Sequence, residues 1–123
     1  MEREIIWHKP NARPERLRDR FARRHENIFV LPRDQRDLRE TSETAVWSIL
    51  SDRGQLGHPS KGTLEVARRC VRFGCQPGGT VFDPFCGSGI TGIAAREQRC
   101  RFIGIDLNPE CHALALQRLG LDI

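Results

Sequence analysis

A chain of 123 residues, 38% of them hydrophobic, is long enough for one domain and no more; at this size roughly two-thirds of the surface of the unfolded chain is buried. Its 20 basic and 16 acidic residues leave a formal net charge of +4, a mild bias towards a polyanionic partner that the interspersed signs keep weak. No apolar stretch approaches the roughly 18 residues of a membrane span and no secretory leader follows Met1, so a cytoplasmic location with no membrane partner is expected.

Glu4-Ile-Ile-Trp7 is a short β-prone run, with Trp7 placed either to stack on a base or, as a strand-end tryptophan usually does, to enter the core. Between His8 and His25 stand Lys9, Arg13, Arg16, Arg18, Arg20, Arg23 and Arg24 against only Glu15 and Asp19, while Pro10 and Pro14 break any early helix. Such a segment suits phosphate contacts, for which Lys9, Arg13, Arg16 and Arg20 are the candidates; taken alone it reads sooner as a solvated face. Asn27-Ile-Phe-Val-Leu31 is a plausible buried strand stopped by Pro32. Residues 32–57 are a polar connector whose one packing patch is Ala45-Val-Trp-Ser-Ile-Leu50.

His58-Pro59 leads into a helix expected from about Thr63, a good N-cap, to Phe73, with Gly74 as its stop. Wound at 100° per residue, Glu65, Arg68, Arg69 and Arg72 share one arc, and Leu64, Val66, Ala67, Cys70, Val71 and Phe73 fill the other, the pattern of a helix packed on a sheet. Gln76-Pro-Gly-Gly79 is a turn. The last helix is signalled by Asn108 as N-cap, Pro109 in the first helical position and Glu110 in the first turn, with Gly120 ending it. Five cysteines, Cys70, Cys75, Cys86, Cys100 and Cys111, show no Cys-x-x-Cys pair with histidines at zinc spacing. They read as reduced packing residues, and no metal site is expected.

The chemistry concentrates between the turn and the last helix. Thr80-Val-Phe-Asp83 is an apolar run that meets the glycine loop Pro84-Phe-Cys-Gly-Ser-Gly89 and passes into the helix-forming Ile90-Thr-Gly-Ile-Ala-Ala-Arg-Glu97; Phe102-Ile-Gly-Ile-Asp106 is a second apolar run ending in an acid. This is a β-α-β nucleotide site. Gly87, Gly89 and Gly92 fit the dinucleotide spacing, with Asp106 near the ~20-residue offset of a ribose-binding acid. A nicotinamide dinucleotide is one reading. Asp83 argues for another, because a carboxylate at the strand end repels a pyrophosphate and attracts an ammonium or a sulfonium. The ligand that satisfies both acids is an adenosine with a cationic tail, which S-adenosylmethionine is. Asp83 as a turn former before Pro84, and Asp106 as a helix cap, are the plain structural alternatives.

These residues carry a specific resemblance. Asp83-Pro-Phe-Cys-Gly-Ser-Gly-Ile-Thr91 resembles the cofactor motif of the DNA amino-methyltransferases, which methylate adenine N6 or cytosine N4, with Ile90 where a threonine is usual; Phe102-Ile-Gly-Ile-Asp-Leu-Asn-Pro-Glu110 resembles their next motif. Ile5-Ile-Trp-His-Lys-Pro-Asn11, Arg20-Phe21 and His25-Glu-Asn-Ile-Phe-Val-Leu31 are similar to the strand, DNA-facing loop and strand that follow the catalytic strand in that family. His58-Pro59 resembles a further cofactor-side motif, with Thr63 where the family has a second proline.

The resemblance implies an α/β fold, a partial S-adenosylmethionine-dependent methyltransferase sheet of Rossmann-like form with helices on both faces. Residues 1–123 make one partial domain: 1–31 facing DNA and continuing the sheet, 32–57 connecting, 58–123 binding cofactor. The cofactor is assigned to Asp83, Phe85, Gly87, Ser88, Gly89 and Asp106, with His58 beside them, and the substrate is double-stranded DNA. The order of motifs is that of the permuted β-type arrangement, in which a catalytic tetrapeptide containing Pro-Pro precedes everything seen here. No Pro-Pro occurs in this sequence, so no catalytic residue is assigned. A sheet with a gap between the Asp83 strand and the Ile5-Ile6 strand is expected, completed by a second polypeptide in an active enzyme. The alternative is a cofactor- or DNA-binding remnant without turnover.

Overall fold

A computed structural model of the chain describes residues 3–13, 16, 18–34, 44–51 and 61–121. The elements run β1 (Arg3–His8), β2 (His25–Val30), β3 (Val46–Ser48), α1 (Lys61–Gly74), β4 (Thr80–Asp83), α2 (Ile90–Glu97), β5 (Arg101–Gly104) and α3 (Pro109–Leu119). The strands form two sheets, one ordered β2-β1-β3 and one pairing β4 with β5. No ladder joins the two among the described residues. None of the described helices is long and apolar enough to cross a membrane.

In the first sheet β1 runs antiparallel to β2, with Ile5 opposite Ile28, and parallel to β3, with Trp7 opposite Trp47. Alternation along β1 sends Ile5 and Trp7 to one side, where Trp7, Trp47 and Ile49 form a buried cluster joined by Ile28 and by Val66, Cys70 and Phe73 of α1. Trp7 is therefore a core residue. Its Nε1–H donates to the Ile49 carbonyl at 2.8 Å, which satisfies the one polar group its ring buries. The patch in the connector supplies β3, which pairs with the Ile6–His8 part of β1; three residues are too few to stand out from polar surroundings. The β2-β1-β3 sheet and the β4-β5 pair stay apart among the described residues, as a sheet with strands missing between Asp83 and Ile5-Ile6 would.

Helix α1 joins the two sheets. Its apolar arc splits, with Val66, Cys70 and Phe73 on the tryptophan cluster and Leu64, Ala67 and buried Val71 on a second cluster with Ala94, Ala95, Cys100, Val81 and Phe102. The opposite arc carries Arg68, bidentate on Glu97 of α2 at 2.6 and 2.8 Å, and Arg69 on Glu65 at 3.1 Å. The helix begins at Lys61, so Thr63 lies within its first turn rather than at its cap; neither Lys61 nor Gly62 bars a helical conformation as a proline would.

Strands β4 and β5 are parallel, with Val81 opposite Phe102 and Asp83 opposite Gly104. Val81 and Phe102 face the helices. Phe82 and Ile103, on the other face, are 58% and 54% exposed, so the described helices cover one side of a strand pair that parallel sheets normally bury on both. Beside β4 a groove of about 470 Å³ is lined by Val66, Ala67, Cys70 and Val71 of α1 together with Val81 and Thr91.

Candidate nucleoside-binding site

The site is built where β4 and β5 end together. Beyond the ladder, the Ile105 N–H donates to the Asp83 carbonyl at 3.0 Å and the Cys86 N–H donates to the Ile105 carbonyl at 2.9 Å, so the loop after β4 and the segment after β5 are laced to each other. The Asp83 side chain accepts the Phe85 N–H at 3.0 Å, the turn-forming role that an aspartate before proline can fill. Gly87 and Gly89 both take positive φ, 51° and 83°. A Cβ on Gly89 would stand 3.0 Å from Ala115 Cβ and 3.1 Å from its Cα, so α3 closes on the loop only because Gly89 has none.

Asp106 holds the two halves in register. Its Oδ2 accepts the Gly87 N–H at 2.9 Å and its Oδ1 accepts the Asn108 N–H at 2.8 Å. An ionised carboxylate has about four lone-pair positions, which leaves acceptor capacity for two hydroxyls of a bound ribose. Asn108 then caps α3, accepting the Glu110 N–H at 2.9 Å as the sequence indicated.

The structure thus brings together Asp83, Phe85, Gly87, Ser88, Gly89 and Asp106. Ser88 is drawn to α3 through its carbonyl, which accepts from Arg118 at 3.3 Å. His58 lies outside the described residues. Two side chains were missed by sequence reasoning: Leu107, 99% exposed beside Asp106, stands at the rim, and Cys86 is buried within reach of the Asp83 and Asp106 charges. Burial first, then the nearby Asp83 and Asp106 charges, push the Cys86 thiol above its ordinary value, so it stays protonated. A full side chain left bare directly after the acid was the available signal for Leu107; an apolar residue between Asp and Asn had no periodicity to assign it. Phe85, 87% exposed, forms the opposite rim.

The DNA-directed candidates lie elsewhere, on the β1–β2 hairpin. Arg13, Arg16 and Arg20 are all exposed on it. Lys9 is engaged differently: its ammonium pairs with Glu26 and sits 4.5 Å above the Trp7 ring, fastening the base of the hairpin. Burial pushes the Cys70 thiol up to about 11.

A parallel β-α-β unit with a glycine loop after its first strand and an acid after its second defines the nucleoside-binding part of a Rossmann-like fold. Residues 1–117 match the N6/N4 methyltransferase family described as DNA methylase, and the chain belongs to that family. The Type II methyltransferase M.SmaI of Serratia marcescens is 38% identical over 131 residues, covering 94% of this chain and 45% of that protein. M.XycI of Xanthomonas campestris pv. cyanopsidis is 34% identical, covering 94% and 43%. The chain therefore spans a little under half the length of these relatives. Among solved structures, an M1.HpyAVI–SAM complex superposes with a TM-score of 0.75 at 25% identity, covering 96% of this chain and 61% of that one. The cytosine-N4-specific PvuII DNA methyltransferase superposes with 0.76 at 16% identity, covering 94% and 50%, a likeness of fold alone.

Proposed function

We propose that this chain is the cofactor-binding part of a site-specific DNA amino-methyltransferase, working with S-adenosylmethionine on adenine N6 or cytosine N4 of double-stranded DNA. The observation that carries the reading is the pair of acids at one sheet end: Asp106 tied through Gly87 to the glycine loop, and Asp83 on the other side of it. The donor set fits an adenosine with a cationic tail and does not fit a pyrophosphate, which would meet two carboxylates. When bound, S-adenosylmethionine supplies an electrophilic methyl group. In this reading Asp106 binds the ribose hydroxyls, Asp83 favours the positive tail, the backbone of Gly87, Ser88 and Gly89 allows close approach, and Phe85 and Leu107 shield the cleft from water. Residues 58–123 form the cofactor segment, with His58 a further cofactor candidate outside the described residues, and residues 1–31 face the DNA through Arg13, Arg16 and Arg20, which Lys9 supports at the hairpin base.

No residue of this chain is assigned to the acceptor amine. The absence of a Pro-Pro tetrapeptide from these 123 residues favours a second reading, a cofactor- or DNA-binding chain without turnover on its own. A methylation assay with labelled S-adenosylmethionine, run with and without a polypeptide carrying the tetrapeptide half of a relative, separates the two. Turnover only in the mixture is the expected result; none in either supports the second reading.

A further inference from the structure

In the β1–β2 connection, residues 9–24, the described residues are fastened at the root and bare at Phe21. At the root the Lys9 N–H donates to the Arg24 carbonyl at 2.7 Å, Lys9 pairs with Glu26, and Asn11 exchanges hydrogen bonds with Ser51, donating to its carbonyl at 2.6 Å and accepting its N–H at 2.8 Å. Beyond these ties stands Phe21, 97% exposed, with Arg18, Arg20, Arg23 and Arg24 exposed around it. Residues 9–24 hold seven basic side chains against two acidic ones, more than the net charge of +4 of the entire chain, so the remainder is close to neutral. The positive charge of this protein is essentially the charge of this loop.

Leaving a phenyl ring in water forgoes a burial worth about 1.5–3 kcal/mol; one bare aromatic is ordinary on a protein surface, and what sets Phe21 apart is that four exposed arginines stand within three residues of it in sequence. A protein partner is a poor match, because the centres of protein interfaces are depleted in charge. A partner that is at once polyanionic and rich in flat π-faces fits both features, and nucleic acid is that partner. At the root the same surface continues into a groove lined by Arg23, His25, Glu26, Asn27 and Phe29, of which Phe29 is also exposed.

We propose that Phe21 is a DNA-stacking residue: its ring lies against a base displaced from the duplex stack, while the neighbouring arginines neutralise the flanking phosphates. It positions DNA and takes no part in bond making. The proposal rests on the DNA reading above and adds to it a residue and a mode of contact, insertion against an unstacked base, which phosphate contacts alone do not require.

The test is fluorescence anisotropy of the whole chain with a labelled duplex containing one mismatch, as a function of salt, for the native protein and the F21A, F21W and R20A variants, each checked by circular dichroism. F21A is expected to weaken binding roughly tenfold with an unchanged salt slope, since stacking is lost and no phosphate contact is. R20A is expected to lower the slope by about one phosphate's worth. F21W, otherwise native, is expected to bind as the native chain does, with its new indole's emission quenched by DNA. Native affinity in F21A, or an indole whose emission DNA leaves unchanged, overturns the stacking role while the DNA reading stands. A folded native chain that binds no DNA, or an F21W chain that binds anionic lipid vesicles in its place, overturns both; binding of S-adenosylhomocysteine, measured on the same samples, reports the cofactor reading separately.

Discussion

Asp106 is tied into the fold through both of its carboxylate oxygens. It fixes the Gly87 N–H and the Asn108 N–H, so its loss damages the loop as well as any ribose contact. Asp83 has a local bond to Phe85, and its removal is the cleaner experiment. D83A is expected to weaken S-adenosylhomocysteine less than S-adenosylmethionine only if the positive tail is what Asp83 favours; calorimetry on both ligands reads that difference, and NAD binding should stay absent or rise. Gly89 gives a second residue-level expectation. Its φ is 83°, and a methyl added there would stand 3.1 Å from the Ala115 Cα. G89A therefore combines left-handed strain with overpacking and should lower stability by on the order of 2 kcal/mol in denaturant titration. The meeting of the glycine loop with the two acids was legible in the sequence because glycine spacing and an acid at a fixed offset are local patterns. Lys9 was not: it looked like one more phosphate contact, and only strand pairing sets it against Glu26, 17 positions further along the chain.

At the scale of elements, α3 was the most legible, because Asn108, Pro109 and Gly120 state its ends in chemistry that needs no tertiary context. N108A should cost about 1 kcal/mol through loss of the bond from Glu110, measured as a shift in the unfolding midpoint. Helix α1 was legible as amphipathic, but its apolar arc proved to be two surfaces, one for each sheet, a division that depends on where the sheets lie. Strand β3 was hidden because three residues are too few for alternation to register. The bidentate Arg68–Glu97 pair links α1 to α2, and its first effect is to hold the Glu97 carboxyl below the usual range through the hydrogen bond from Arg68. A lowered carboxylate contributes stability above its unfolded pKa and loses it as pH falls through the folded one. E97Q should therefore destabilise by under about 1 kcal/mol at neutral pH, since the pair is about a third exposed, with the difference from the native chain shrinking as pH falls below the ordinary glutamate value of about 4.3 and gone only once it is below the lowered folded pKa.

For the molecule as a whole, the sequence indicated a sheet with strands missing, and the structure has two sheets sharing one helix. The place of β3 beside β1 was not legible, because strand order is a long-range property. What remains bare is informative: Phe82 and Ile103 on one face of β4–β5, and the apolar groove beside β4. Exposed apolar surface of this kind promotes association. Replacing both with serine should raise the soluble yield of the chain expressed alone, and should impair methylation reconstituted with a tetrapeptide-bearing half if that face is covered in the active enzyme.

The most direct measurement is calorimetric titration of the folded chain with S-adenosylhomocysteine, with circular dichroism on the same sample. Saturable binding by the native chain, abolished in D106A and weakened in D83A while both variants stay folded, is the expected result. A folded native chain that does not bind, or one whose binding survives loss of both acids, contradicts the assignment of this site to an adenosine carrying a positive tail.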